Sequence, residues 1–350
     1  MRVFNYKKLI DLKLTMETVS YLTEIDKYNK QQEFFIQQKP NILNQLIKTS
    51  KIDSIETSNK LEGISTSGSR LKYIVEEKIE PKTRNEEEIA GYRDVLKIIH
   101  ESYDEIKISD NYILQLHKIL LSHLNNSNGG KFKNTNNFIQ ETKEDGTQFI
   151  RFKPLSALET PQAVKDICSQ YNEASKNSKI NKLILIFTFV LDFLCIHPFD
   201  DGNGRISRIL TLLLMYKNRY MIGRYISIEK QIEETKDGYY NSLLSSSIDW
   251  YKNTNDAFPF INYMLFVVLE TYKLFNKKTI ETVSKNKSKP ELIKELFDNH
   301  IGWLTKNKIV ELLPTISQKT IENTLTVLVK EKYVEKTGSN KTAKYRRFES

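Results

Sequence analysis

The segment His197-Pro198-Phe199-Asp200-Asp201-Gly202-Asn203-Gly204-Arg205-Ile206-Ser207-Arg208 gathers a proton acceptor, carboxylates, a glycine-rich turn and two guanidiniums in one short stretch. An imidazole such as His197 takes a proton from a hydroxyl near neutral pH. Pro198 favours a break after a preceding helix, and Phe199 is an apolar anchor for the turn. Gly202 and Gly204 free the backbone around Asn203, so that successive N–H groups can converge on one concavity. A helix starting there adds the positive end of its dipole. Arg205 and Arg208, three residues apart, share a face of that helix's first turn, and each offers paired donors to phosphate oxygens. Asp201 is an oxygen ligand suited to a Mg²⁺ ion carried in by a nucleotide. Alone, each piece reads as a helix cap with solvated arginines. Together at this spacing they describe an anion site beside a base.

Two strongly apolar segments, Ile180 to Ile196 and Ile206 to Tyr216, flank the motif and read as central helices with the turn between them. Gly and Pro are scarce elsewhere, and the apolar spacing is mostly helical. Amphipathic helices are expected within Thr18 to Lys48, a short one over Ser54 to Gly63 closed by Gly63, then Glu86 to Ser102 and Ser109 to Leu124. The helical pattern breaks from Asn125 to Pro161. There Asn137-Phe138-Ile139-Gln140 and Gln148-Phe149-Ile150-Arg151-Phe152 bracket Asp145-Gly146, the signature of a β-hairpin. Helices resume at Pro161 to Ala174, Asp237 to Ser247 and Phe258 to Phe275. Lys285 to Pro290 is a polar linker. Helices over Glu291 to Asn299, Thr305 to Leu313 and Gln318 to Lys332, with a turn at Pro314 to Ser317 and a ribbon turning at Gly338, give the order of a winged helix-turn-helix.

The 350 residues suit two or three domains, and 39% hydrophobic residues are enough for a substantial core. Net charge is +9; residues 285–350 carry 14 Lys and Arg against 8 Asp and Glu, a hint of an acidic partner. Two cysteines, Cys168 and Cys195, support neither a disulfide framework nor a zinc site. His100, His117, His123 and His300 lie in helices without ligand-like partners and are expected to be structural or surface residues. The N-terminus has no apolar signal core, and the run Leu183 to Ile196 is too short to span a bilayer. A cytoplasmic protein without a membrane partner is expected.

The His197 to Arg208 segment resembles the signature of the Fic family, His-x-Phe-x-Asp/Glu-Gly-Asn-Gly-Arg-x-x-Arg, at every fixed position. The resemblance runs from about Ser54 to Phe275. It implies an all-α fold: a Fic-type helical core with a small β-hairpin flap, an N-terminal helical domain and a C-terminal winged helix-turn-helix. The domains are expected at 1–104, 105–280 and 281–350. It further implies a protein adenylyltransferase that moves AMP from ATP to a Ser, Thr or Tyr hydroxyl, with removal of AMP as a second activity of the family. His197 would be the general base, and Asp201 would hold Mg²⁺, for which Mn²⁺ can substitute. Gly202, Asn203 and Gly204 would cradle phosphates, and Arg205 and Arg208 would bind the phosphate tail. Tyr239 and Tyr240 match an aromatic pair of the adenine pocket. The flap, about 137–152, would dock a protein target, and the chain would also modify itself. A homodimer is a further expectation.

Family members often carry Gly-x-x-Arg before the flap, whereas this chain has Gly130-Lys131-Phe132-Lys133. The proline-rich stretch after the flap is reduced to Lys153-Pro154-Leu155. Both departures are expected to bear on target choice. Ser58-Asn59-Lys60-Leu61-Glu62-Gly63 fits the family's inhibitory pattern, Ser/Thr-x-x-x-Glu-Gly/Asn. A Glu62 carboxylate on Arg208 would occupy donors that a γ-phosphate needs. In the winged helix, Lys319, Lys330, Lys332, Lys344, Arg346 and Arg347 could contact DNA phosphates, while Glu322 and Glu331 favour a protein partner. An ATP-sensing, DNA-binding transcriptional regulator with little turnover is the alternative reading.

Overall fold

The computed structural model describes all residues except 1, 39, 126, 143–147, 287, 301, 315, 340–342 and 349–350. In chain order come helices α1 (Met16–Gln38), α2 (Pro40–Lys60), α3 (Gly68–Val75), α4 (Arg84–Ser102) and α5 (Asp110–Leu120). Strands β1 (Ile139–Thr142) and β2 (Gln148–Phe152) follow. Then come α6 (Thr160–Ala174), α7 (Lys182–Ile196), α8 (Asn203–Lys217), α9 (Ile228–Glu234), α10 (Lys236–Ser247) and α11 (Phe258–Asn286). The remainder is α12 (Lys289–Asn299), β3 (Leu304–Thr305), α13 (Lys306–Leu312), α14 (Gln318–Lys330), β4 (Val334–Thr337) and β5 (Lys344–Arg347).

The chain forms two compact units, Met1–Asn276 and Lys277–Ser350, and the division falls within α11. In the first unit α7 is the central rod, with every residue from Leu183 to Ile196 buried. A helix apolar on all sides needs neighbours all round, and α6 and α8 pack directly on it. Its start is fixed by Asn181, whose side chain accepts from the Leu183 and Ile184 N–H groups at 3.0 and 3.3 Å. Thr83 and Ser109 cap α4 and α5 in the same way. A single apolar core runs through this unit from Phe4 to Phe275. Strands β1 and β2 pair antiparallel, Thr142 opposite Gln148; the expected turn at Asp145-Gly146 lies outside the described residues.

The second unit is mostly helical with a small three-stranded antiparallel sheet in the order β3-β5-β4. Ile293, Phe297, Ile309, Ile321, Leu325 and Tyr345 fill its own core. Ser288 and Glu291 form a capping box on α12, with Pro290 in the first turn, where a missing N–H costs nothing.

Several elements differ from the sequence reading. The short helix expected over Ser54 to Gly63 is the end of the 21-residue α2. No Gly or Pro interrupts the chain after Pro40, so the helix propagates until Gly63 turns left-handed, with φ +77°. Helices α3 and α9, 8 and 7 residues long, are too short for periodicity to reveal them. Helix α11 extends to Asn286, into the expected linker, because nothing before Pro290 breaks it. The C-terminal ribbon gains a third strand, the two-residue β3, whose pairing with β5 has no local sequence signal. By length and composition alone, Phe258–Ile280 of α11 could also cross a membrane, but 56% of its most apolar window is buried within the fold.

Candidate active site

The motif occupies the bend between α7 and α8. His197 closes α7 in a left-handed conformation, φ 50° and ψ 64°. Gly202 starts α8 with φ +81°. Between them the Asn203 side chain clamps the turn: its Oδ1 accepts from the Phe199 N–H at 2.9 Å, and its Nδ2 donates to the Phe199 carbonyl at 2.8 Å. Phe199 is fully buried, as an anchor should be.

Glu62, His197, Gly204, Arg208, Tyr239 and Tyr240 line one cavity of about 730 Å³, a volume suited to a nucleotide-sized ligand. Helix α2 delivers Glu62 to it from the turn that Gly63 closes. The Glu62 carboxylate receives Arg208 Nη2 at 2.7 Å. Arg208 is further held by Ser58, through Nε to the hydroxyl at 2.8 Å and Nη2 to the carbonyl at 2.8 Å. Glu62 also sits against the first turn of α8, where a Cβ on Gly204 would overlap its Oε1. A carboxylate thus occupies the helix N-terminus and arginine that would attract any other anion. Burial opposes the Arg208 charge, but Glu62 together with Tyr239 and Tyr92 outweighs it and raises the guanidinium above its ordinary value.

His197 is held well below the ordinary histidine range, at about 4, by burial and then by the Lys133 ammonium; the Leu194 carbonyl, Glu62 and Asp201 pull the other way. The ring is therefore neutral at pH 7, the form a base needs. Tyr239 is buried among Phe260 and Tyr263. Tyr240, edge-on to it at 5.2 Å, is half-buried at the cavity wall. Arg151 of β2 donates to the Tyr240 carbonyl at 2.6 Å and lies 5.3 Å from its ring, tying the hairpin to α10.

The remaining motif residues do not line this cavity. Arg205 is fully buried and pairs with Glu88 of α4 at 2.7 Å and with Asp201 at 3.3 Å. Its guanidinium therefore braces the turn from behind, unlike the phosphate contact the resemblance implies for it. Asp201 keeps a half-exposed carboxylate, with Oδ1 accepting from the Gly202 N–H at 2.6 Å. It opens onto a neighbouring hollow lined by Asp200, His117 and Lys131. Among the described residues no group of three His, Cys, Asp or Glu could hold a metal. One carboxylate with open lone pairs fits a cation whose other ligands are phosphate oxygens and water.

His117 has the structural role expected of it, buried against the bend. Its ring stacks on Phe199 at 3.7 Å, accepts from the Gly130 N–H at Nδ1, 3.2 Å, and donates from Nε2 to the Asp201 carbonyl, 3.1 Å. Burial pushes it down to about 4, consistent with this neutral tautomer. Glu88, Lys133 and Arg151 were likewise not singled out as functional from the sequence. Only Lys133 carried a signal there, its spacing after Gly130.

A model of the Fic/DOC family matches residues 107–215. Protein adenylyltransferase fic-1 of Caenorhabditis elegans is 26% identical over 186 residues, 52% of this chain and 32% of that protein. Protein adenylyltransferase Fic of Nematostella vectensis is 23% identical over 231 residues, 63% of this chain and 48% of that one. This chain thus spans about a third to a half of these curated relatives. The crystal structure of a Fic family protein from Desulfovibrio desulfuricans G20 superposes with a TM-score of 0.63 at 19% identity, over 97% of this chain and 98% of that one. Fic-1 from C. elegans gives 0.57 at 19% identity, over 79% of this chain and 73% of that one. At these identities the structural likeness speaks for the fold. Motif, helical architecture and family match agree on a Fic domain over residues 107–215, in a chain distantly similar to protein adenylyltransferase Fic.

Proposed function

We propose that this protein transfers AMP from ATP to a hydroxyl of a protein, and that Glu62 restrains the transfer. The observation that carries the reading is the Glu62–Arg208 ion pair, 2.7 Å long, in the same cavity as a neutral His197. The substrate hydroxyl passes its proton to His197 as its oxygen bonds to the α-phosphorus. The bond from that phosphorus to the β-phosphate's bridging oxygen breaks, and pyrophosphate leaves. Arg208 and the N-terminus of α8 hold the phosphate tail; Tyr240 offers a face for the adenine. Mg²⁺, held through Asp201 with the nucleotide, would neutralise charge on the phosphates. While Glu62 occupies Arg208, the tail cannot settle there, and positioning is most of the catalysis in such transfers.

The target would lie along the β1–β2 hairpin by strand-like pairing. We read the C-terminal unit, with its helices and three-stranded sheet, as a winged helix and assign it to protein docking in preference to DNA binding. Arg346 pairs with Glu335, Arg347 with Asp298, and Lys306 with Glu322 of α14, which leaves less free positive charge for phosphates.

The test is the full chain with ATP labelled at the α- or γ-phosphate. Glu62→Gly is expected to raise α-label incorporation by about tenfold or more, since it frees one charge-assisted contact. Equal incorporation by wild type and variant removes the brake, and label entering only from the γ-phosphate removes AMP transfer.

A further inference from the structure

Lys133 stands where the resemblance expects arginine, and the structure places it against the base rather than in the target path. Its side chain is 3% exposed. Nζ donates to the Ile196 carbonyl at 3.1 Å and to Asn137 Oδ1 at 2.9 Å. Its backbone N–H donates to the Pro198 carbonyl at 2.9 Å. Asn137 Nδ2 in turn donates to the Phe199 carbonyl at 3.1 Å. One short segment, residues 133–137, therefore holds the carbonyls on both sides of His197 and the next one along.

His197 needs that support. A left-handed conformation costs a residue bearing a Cβ about 1–2 kcal/mol, and it persists only where the surroundings over-determine it. Its neighbours do not favour it: Ile196 is β-branched and Pro198 biases its predecessor towards extended backbone. Buried amines are costly, so an ammonium spent on two neutral acceptors calls for a reason.

We propose that Lys133 is a positioning residue for the general base, clamping the left-handed bend that aims the His197 imidazole into the cavity. This rests on the reading of His197 as the base. The charge adds a second effect. Lys133 faces the ring from the segment before β1, Glu62 from the turn after α2, and Asp201 from the motif itself. Of these three, Lys133 alone disfavours a proton on the ring. Burial lowers the Lys133 amine itself to about 8, with Asp200 supporting its charge, so it remains mostly protonated at pH 7.

The test compares the full chain with Lys133→Met and Lys133→Arg. The first readout is the pH midpoint of His197 by ¹⁵N-histidine NMR with Glu62 intact, the resonance assigned by its loss in His197→Ala. The midpoint is expected to rise by about one unit in Lys133→Met, the size of a nearby like-charge effect, and to stay near the parent in Lys133→Arg. The second readout is AMP transfer at pH 7 in the Glu62→Gly background. There Lys133→Met should lower kcat about tenfold or more through misplacement of the base, with KM for ATP within about threefold and Lys133→Arg restoring kcat. Should Lys133→Met not fold, Lys133→Gln keeps a donor without the charge and is read the same way. An unmoved midpoint together with unmoved kcat in the folded variant overturns the proposal. If the Glu62→Gly parent transfers nothing, AMP transfer as the function fails, while the His197 midpoint still decides what Lys133 does.

Discussion

Arg205 and Arg208 show how far one helical turn separates two identical side chains. Both lie in α8, three residues apart. Arg208 lines the cavity beside Glu62, and Arg205 is sealed between Glu88 and Asp201. What decides their roles is which neighbour each meets, a property of tertiary packing. The proposed base and the proposed phosphate clamp are separable for the same reason, since His197 ends α7 while Arg208 rides on α8. His197→Ala in the Glu62→Gly chain should therefore lower transfer by about 10²–10⁴-fold, the usual worth of a positioned base. ATP affinity by calorimetry should stay within about threefold. Transfer that persists in this variant would show the base to be another group. The sign of the pH effect follows from burial. Held at about 4, His197 loses its proton as pH rises through that value. Transfer should thus remain undiminished at pH 6, where an ordinary imidazole is largely protonated.

Contiguity made the motif legible at this scale: twelve consecutive residues stay near one another whatever the rest of the fold does. His117 and Glu88 were not legible as braces of the motif, and Lys133 showed only its spacing after Gly130. Their partners are 84, 117 and 63 residues away, and two of the three bonds end on backbone carbonyls, which carry no side-chain signature. Glu62 lies between these cases. Its pairing with Arg208 spans 146 residues and became readable only through the family's inhibitory pattern.

Among the elements, α4 is the hub that relates the Glu62 turn to the motif. Glu86 accepts from the Thr66 hydroxyl at 2.9 Å and from the Lys82 N–H at 2.8 Å, tying down the loop that follows Glu62. Two residues on, Glu88 holds Arg205. The Tyr92 hydroxyl reaches Glu229 of α9 at 3.2 Å. The Arg70 guanidinium completes the Glu86 network, and together they hold that carboxyl at about 2. For this hub to work, α4 must lie close to α5, which carries His117. Gly91 makes that approach possible, since a Cβ there would overlap the Leu120 carbonyl oxygen at the end of α5. Backbone cannot yield as a flexible side-chain tip can, so Gly91→Ala forces the two helices apart. It is expected to cost about 2–3 kcal/mol, in the range of overpacked cores, read as a lower urea midpoint at unchanged slope. A variant as stable as wild type would show the α4–α5 contact to be pliable. Periodicity exposed α4, α5, α7 and α8, whose apolar faces are long. It could not expose this glycine, because a close helix crossing is a relation between two segments.

For the whole molecule, burial of neutral histidine couples folding to pH. His100, near the end of α4, packs edge-on to Tyr216 of α8 at 5.7 Å, with Nε2 3.4 Å from the tyrosine hydroxyl. Burial holds it at about 3, helped by Arg224 and Lys51, whereas an unfolded chain binds its proton near 6.5. The folded value is depressed, so on acidification the unfolded state takes the proton first. Stability is full above about pH 6.5 and falls as pH drops towards 3, by about 1.4 kcal/mol per unit. Other groups titrate in the same window: His197 acts in the same sense, and buried Asp192, raised by burial, acts oppositely. A difference between two chains isolates the one site. His100→Asn removes the titrating ring and leaves the others in place. Wild type should then lose about 2 kcal/mol of stability relative to the variant between pH 6 and pH 4, measured by urea unfolding at each pH. Parallel stability curves for the two chains would mean that His100 is protonated in the folded state, and that the α4–α8 interface behind the motif admits charge. A converging pair would identify that interface, on the α4 that also carries Glu88, as one of the places where acid begins to open the fold.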